Sequence, residues 1–421
     1  MLRTRSALAV LAAGALALAG CGTKGASESG GASGTDKSGV KVGTGVTDSE
    51  ITLGVMTDKS GVFKNLGLGT AEGNQLAIDD INAAGGICGR KLKLEVVDHG
   101  YKAENAKTLY PQIAPKVLGM VQLLGSPVVA ALKANLIADQ MTTTPASWSS
   151  ELLDNPYIMI GGTTYDVEII DGMNWLQSQG SIKDGDTVGH IYIDSEYGRN
   201  GLAGSKFYAS KHNMTVKEAK ITATDTDLTN VVTSMKGAGV KAILLTTTPT
   251  AAASVVAVDK ALGLNVPVLG NNPTFDPALL SSPAKDAMGL LRIVASSVPF
   301  SADLPKAKDV AAKYKAKYTE KPVSGVMYGY AVGEIWGQVL TQACQDKDLT
   351  RAGVQAALKK TKSASTDDLI APLDFSKAGA PPTRQVYVAM PDATAEGGLK
   401  YVKPLFESPE ATQYKAPHEQ G

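Results

Sequence analysis

The chain has 421 residues and carries 41 Lys plus Arg against 41 Asp plus Glu. With no basic excess there is no sign of a nucleic-acid partner, and with no acidic tail there is none of a basic one. The length suits two domains with a sizeable core, so any preference for a charged solute must come from local groups.

The first element is an export signal. Arg3 and Arg5 precede an apolar run from Ala7 to Leu18, and Ala19 and Gly20 lead to Cys21. A short basic head, an apolar core and small residues before a cysteine are what an exporting peptidase reads. The core is clearly shorter than the roughly twenty apolar residues that cross a bilayer. Leu18-Ala19-Gly20-Cys21 resembles the lipobox of bacterial lipoproteins, which implies a signal peptide over residues 1–20 and a lipid on Cys21. Everything after Cys21 is then expected to work at the outer face of the cytoplasmic membrane or in the periplasm. Residues 22 to about 46 are mostly Gly, Ser, Thr, Lys and Asp, too polar to offset ordering entropy, so 21–47 reads as a flexible tether. With Cys21 lipidated, Cys88 and Cys344 remain as an even pair in an oxidising compartment. One disulfide is expected, two small buried thiols being the alternative.

From Ile51 the texture alternates. ITLGVMT predicts a strand, Leu66 to Asn82 a helix ending at Gly85-Gly86, and KLKLEVVD a second strand. A strand at Val117 to Leu124, an Ala-rich helix from Pro127, a helix near Val167 to Gln177 and the strand TVGHIYI follow. Helices near Gly201 to Lys211 and Leu228 to Ala238, the strand AILLTT, a helix from Pro249 and the strand PVLG continue the alternation. This is an α/β chain with doubly wound parallel sheets.

VQLLGSPVVAALKANL, from Val121, and ILLTTTPTAAASVVAV, from Ile243, share one device: an apolar strand, then Ser or Thr followed by Pro, then an Ala-rich helix. Ser126 and Thr248 suit the N-cap, and Pro127 and Pro249 the first helical position. Two such helix starts at the carboxyl ends of two sheets would face a polar, anion-tolerant cleft.

Catalytic motifs fail on inspection. Gly67-Leu68-Gly69 and Gly73, with Asp98 after the next strand, imitate a dinucleotide fingerprint, but Glu72 stands where the third glycine belongs. No GxSxG is present, and Ser282-Pro283-Ala284-Lys285 lacks the companion motifs of serine acylases. His99, His190, His212 and His418 lie far apart without HExxH, and no cysteine pair has zinc spacing. The chain is read as a non-enzyme with no cofactor and no metal.

DDINAAGGICGRKLKLEVVDHG, LLGSPVVAALKANLIADQMTTTPASW, IYIDSEYGRNGLAGS and VMYGYAVGEIWGQVL together resemble the branched-chain amino acid binding family of ABC-transporter solute receptors, from Ile51 to about Val402. The resemblance implies the type I periplasmic binding protein fold, two lobes joined by a three-crossover hinge. Lobe 1 is expected over 48–163 plus 298–362, lobe 2 over 164–297 plus 363–405, and a C-terminal tail over 406–421. It places Cys88 and Cys344 in the same lobe. In amino-acid-binding members a Ser at the first strand-to-helix turn and a Ser or Thr after the next strand hold the ligand carboxylate, and these match Ser126 and Ser147, with Trp148 beside them. A Tyr-Gly pair that closes over the ligand matches Tyr197-Gly198, and Tyr165 follows the first crossover; each ring has a packing alternative. The family's acidic partner for a ligand ammonium falls where this chain has Asn271 and Asn272, with Asp194 or Glu196 as substitutes from a neighbouring loop. A neutral amide does not replace that ion pair, so the ligand is an amino acid only if such a substitute serves. Otherwise it is an amide, a urea-like compound, a carboxylate without an amine, or an aromatic acid. The expected protein is thus a monomeric lipid-anchored receptor that delivers a small polar metabolite to an ABC permease, the alternative being a ligand-sensing lipoprotein read by a membrane sensor.

Overall fold

A computed structural model describes residues 34–323 and 325–420. The export signal, Cys21 and the start of the Gly/Ser-rich tract lie outside the described residues. The chain enters as a hairpin of β1 (Gly34–Thr35) and β2 (Lys41–Val42). Asp36 accepts from the backbone N–H groups of Ser38 and Val40 at 2.9 and 2.8 Å and pairs with Arg90. Val40 and Val46 are buried. The tether reading therefore does not extend over residues 34–46, which are bound to lobe 1. Averaged composition hid three valines, at positions 40, 42 and 46, and one well-placed aspartate.

Lobe 1 follows as β3 (Glu50–Thr57), α1 (Lys64–Ala83), β4 (Lys91–Asp98), α2 (Ala103–Ile113), β5 (Gly119–Leu124), α3 (Ser126–Ala138) and β6 (Thr143–Ala146). Its sheet runs β4-β3-β5-β6, all parallel, and β5 is buried throughout, as a strand with helices over both faces must be. The chain then crosses to lobe 2 as α4 (Tyr165–Ser178), β7 (Thr187–Ile193), α5 (Glu196–Lys211), β8 (Thr215–Ile221), α6 (Thr229–Gly237), β9 (Ile243–Thr246), α7 (Pro249–Ala261), β10 (Val268–Asn271) and β11 (Leu291–Ala295). It returns to lobe 1 as α8 (Pro305–Lys317), α9 (Gly325–Gln345), β12 (Asp348–Leu349) and α10 (Arg351–Lys360). A last crossing gives β13 (Val386–Pro391), β14 (Leu399–Phe406) and α11 (Pro409–Gln413).

The second sheet is ordered β14-β13-β11-β10-β9-β7-β8. It is parallel from β8 to β11, and β13 and β14 add an antiparallel hairpin. Only residues 392–398 join those two strands, and a parallel crossover needs about a dozen. The segments that cross between the lobes are bonded to one another: Val298 N–H donates to Leu369 O at 3.0 Å, and Thr163 Oγ1 to Gln385 O at 2.5 Å.

The segment read as a tail is part of lobe 2. Ser408 N–H donates to Asp171 Oδ1 at 2.8 Å, Tyr414 OH to Asp166 Oδ2 at 2.9 Å, and Ala411 is fully buried against α4. A five-residue helix capped by Ser408 is too short to announce itself by periodicity.

Of the glycines that imitate a dinucleotide fingerprint, Gly67 sits against Asp58 O in the turn before α1, and Gly73 belongs to helix packing. A Cβ on Gly73 of α1 would stand 2.2 Å from Val326 O, and one on Gly329 of α9 2.0 Å from Thr70 O. The two helices touch backbone to backbone, and only glycine leaves room. Cys344 at the end of α9 is joined to Cys88, just beyond α1, with a Cα–Cα distance of 5.9 Å, in the usual range for a bridge.

Candidate functional site

Both parallel sheets end at the seam between the lobes, where open α/β sheets bind ligands. In lobe 1, β5 ends at Leu124 and the chain turns through Gly125 at φ 102°. Glycine accepts that left-handed geometry without strain, so Gly125 takes the cap position and Ser126 becomes the first helical residue. Ser126 is therefore not the N-cap of α3. Its hydroxyl lies 2.6 Å from that of Ser147, which follows β6, and both side chains are buried. Thr248 does cap its helix, accepting from Ala251 N–H at 3.3 Å, and its hydroxyl is thereby engaged within lobe 2.

Above the serine pair lies a slot. Lobe 1 contributes Phe63 and Leu66 from the start of α1, Tyr101 from the turn after β4, and Leu124, Gly125, Ser126 and Ala146; lobe 2 contributes Tyr165, Tyr197 and Pro273. The rings pair across short distances, Phe63 with Tyr101 at 4.8 Å and Tyr165 with Tyr197 at 4.6 Å between centroids. The cavity measures about 10 Å³, close to the volume that admits one water, so a solute enters only when the lobes part.

Trp148 is fully buried and sits behind this wall, edge-on to Tyr165 at 5.9 Å and to Tyr328 at 4.7 Å. It braces Tyr165 and does not line the slot. Tyr197 OH donates to Asn271 Oδ1 at 2.7 Å, an oxygen that also accepts from Thr274 Oγ1 at 3.2 Å. Asn271 thus orients the ring, while its own Nδ2 is buried without a partner. Asn272 is buried in the turn after β10 and is not a slot-lining residue.

Neither expected substitute for the missing acid reaches the slot. Asp194 is held at the surface by Arg199 at 2.9 Å and Lys220 at 3.2 Å. Glu196, on the first turn of α5, is pushed up to about 7 by burial, with Lys133 pulling it down and Glu151 pushing it further up. A third carboxyl was not foreseen: Glu168 on α4 is fully buried and neither oxygen has a partner of good geometry. Burial raises it well above the usual carboxylate range, and the backbone amides of Ser296 and Asn272 only partly offset this.

Phe63, Leu66, Tyr101, Leu124, Gly125, Ala146 and Pro273 line the slot without having been expected as site residues. A signal existed for two of them, since Phe63 and Tyr101 follow closely on the carboxyl ends of β3 and β4. Tyr101 N–H donates to His99 Nδ1 at 3.0 Å, which gives the buried His99 a positioning part in this turn. His190 is pinned by Ser205 and Thr246 in the core of lobe 2, and burial lowers it to about 3.

The fold and the seam describe a two-lobed receptor that shuts on a small solute. Residues 50–397 match the family described as periplasmic binding protein, and the chain belongs to that family. A solved structure described as a fatty acid ABC transporter substrate-binding protein from Thermomonospora curvata is 39% identical, over 91% of this chain and 99% of that one, with a TM-score of 0.88. A branched chain amino acid ABC transporter from Thermus thermophilus with bound valine is 17% identical over 87% of this chain and 99% of its own, TM-score 0.77, a likeness of fold alone. A Leu/Ile/Val-binding protein homolog from Brucella melitensis is 24% identical over 338 residues, 79% of this chain and 88% of that protein. The protein is accordingly a solute-binding receptor working outside the cytoplasm, not an enzyme.

Proposed function

We propose that this receptor captures a monocarboxylate with an apolar body, of the fatty acid class, and delivers it to an ABC permease. One observation carries the reading: of the ten residues lining the slot, four are aromatic and none is acidic, while Ser126 supplies a hydroxyl at one wall with that of Ser147 bonded directly behind it. Two adjacent hydroxyls suit a carboxylate, and a wall without an ionised acid gives an ammonium no partner. The 39% identity to a fatty acid receptor supports the same ligand class. Ligand touching both Ser126 and the rings of Tyr165 and Tyr197 favours closure, because only the closed form offers all the contacts. Lipidation of Cys21 keeps the receptor beside the permease; Cys21→Ala should release it into the soluble fraction.

A thermal-shift panel of fatty acids, aromatic acids, amides, ureas and α-amino acids tests the ligand. At a hundred times its Kd a ligand stabilises the fold by about 2.7 kcal/mol. Fatty acids should raise the Tm; a panel in which only α-amino acids do so overturns the reading.

A further inference from the structure

The slot does not end at its aromatic wall. A second cavity of about 300 Å³ adjoins it and shares Phe63, Leu66 and Pro273 with it. Its walls come from both lobes: Leu66 and Val323 on one side, Phe275 and Leu279 on the other. Phe63, Leu66, Val323, Phe275 and Leu279 give the chamber an apolar stretch, and Lys64, Asn65, Thr250 and Asp276 make another part of its lining polar. At its outer rim Val62 is 44% exposed, an unusual place for a large aliphatic side chain beside a polar seam. Asn65 Nδ2 reaches over the same rim to Asp276 Oδ2 at 2.8 Å, tying lobe 1 to lobe 2.

Resting on the carboxylate reading, we propose that the ligand lies head inward and tail outward, its carboxylate at Ser126 and Ser147 and its hydrocarbon running past Leu66 and Pro273 into the outer chamber. The slot alone, even opened by a few ångströms, holds a head and the first carbons. The chamber is at the lower bound of ordinary ligand sites, roughly 300 Å³, and receives the rest of the chain. The receptor is then a length selector. Affinity grows as methylenes enter the chamber, roughly fourfold for each CH₂ buried, and levels off once the chain passes Val62 into solvent. Closure also acquires a second grip, since a tail in the chamber touches both lobes and a head alone touches chiefly the first.

Butyrate, octanoate and palmitate, titrated calorimetrically, test the arrangement. In the unaltered protein affinity should rise from butyrate to octanoate and more slowly to palmitate. Leu66→Trp, which plugs the neck, should lower the palmitate-to-butyrate affinity ratio at least tenfold. Ala278→Trp fills the chamber from an exposed position and guards against misfolding of the first variant; it should lower the ratio in the same direction. Ser126→Ala should weaken all three acids alike. If Ser126→Ala weakens all three but neither tryptophan changes the ratio, the chamber is not the tail's path and the carboxylate reading survives. If Lys64→Ala at the rim abolishes palmitate binding and Ser126→Ala does not, the ligand lies the other way round and the proposal falls. If no acid of any length binds, the carboxylate reading itself is wrong.

Discussion

Ser126 Oγ and Ser147 Oγ stand 2.6 Å apart although one begins α3 and the other follows β6. One of these buried hydroxyls donates to the other, which leaves one proton free to donate to a third oxygen. A hydrogen bond to a charged acceptor contributes about 1.5–3 kcal/mol. Ser126→Ala or Ser147→Ala should therefore weaken fatty acid binding by about ten- to a hundredfold in calorimetry. The double variant should lose less than the product of the two, because each hydroxyl orients the other. Unchanged affinity in both single variants would remove the pair from the site.

Asn65 and Asp276 form a latch over the outer chamber. The bond exists only with the lobes together, so its loss should act on the closing equilibrium and leave each lobe's packing alone. Asn65→Ala should raise the ligand Kd by about two- to tenfold, the worth of one net hydrogen bond. Small-angle scattering should report a larger radius of gyration in the ligand-free variant. A Kd within error of the unaltered protein would mean that the latch does not bias closure.

From β3 to β10 most strands and helices were legible because apolar runs such as ITLGVMT and TVGHIYI are bounded by turn residues; α2, β6 and, apart from α9, the elements after β10 were not. Nor was β8, since TVKEAKI is an edge strand with four of its seven residues charged or hydroxylated and little burial. α9 was legible only through resemblance, its glycines breaking helical propensity for the sake of close contact with α1. At the site, Ser126 was marked by its strand-to-helix turn, while Ser147, Tyr165 and Tyr197 came only with the resemblance. Trp148 could not: within TTTPASWSS it looks solvated, yet that hydroxyl-rich run is buried from Met141 to Ser150 and turns the indole behind Tyr165. Tyr101 depends on a left-handed turn at φ 58°, which no composition rule announces at a tyrosine.

Gly329→Ala tests the reading of the α1–α9 glycines. The added Cβ would meet Thr70 O at 2.0 Å, a backbone atom that moves only if the helix moves. Overpacking of this kind costs about 1–3 kcal/mol or more, so the Tm should fall by several degrees in calorimetric scans. Gly237→Ala is the matched control, at the end of α6 with nothing within 4 Å of the new Cβ; it should be neutral or stabilising by up to ~1 kcal/mol.

The Cys88–Cys344 bridge fastens the same helix pair from its far end, spanning 256 residues of sequence. Closing so long a loop restricts the unfolded chain, and a typical contribution is about 2–4 kcal/mol. Reductant, or the Cys88→Ala/Cys344→Ala pair, should lower the Tm without altering fatty acid affinity, because the bridge lies away from the slot. A parallel loss of affinity would mean that α1 and α9 shift at the seam when the bridge opens.

Glu196 gives the closed form a pH dependence of known sign. It belongs to lobe 2, and Lys133, Glu151 and Asp154, which act on it, belong to lobe 1. Burial against that lobe raises its carboxyl from 4.5 to about 7, and parting the lobes returns it toward the ordinary value. Between those two values the closed form holds more protons than the open one, so closure is favoured at low pH and loses that favour as pH rises through 7. Fatty acid affinity should therefore decline in the unaltered protein from about pH 5 to about pH 7 and level off above that. Glu196→Gln, neutral at every pH, should flatten the curve at its low-pH level. The same decline in Glu196→Gln would assign the slope to another group and separate Glu196 from closure.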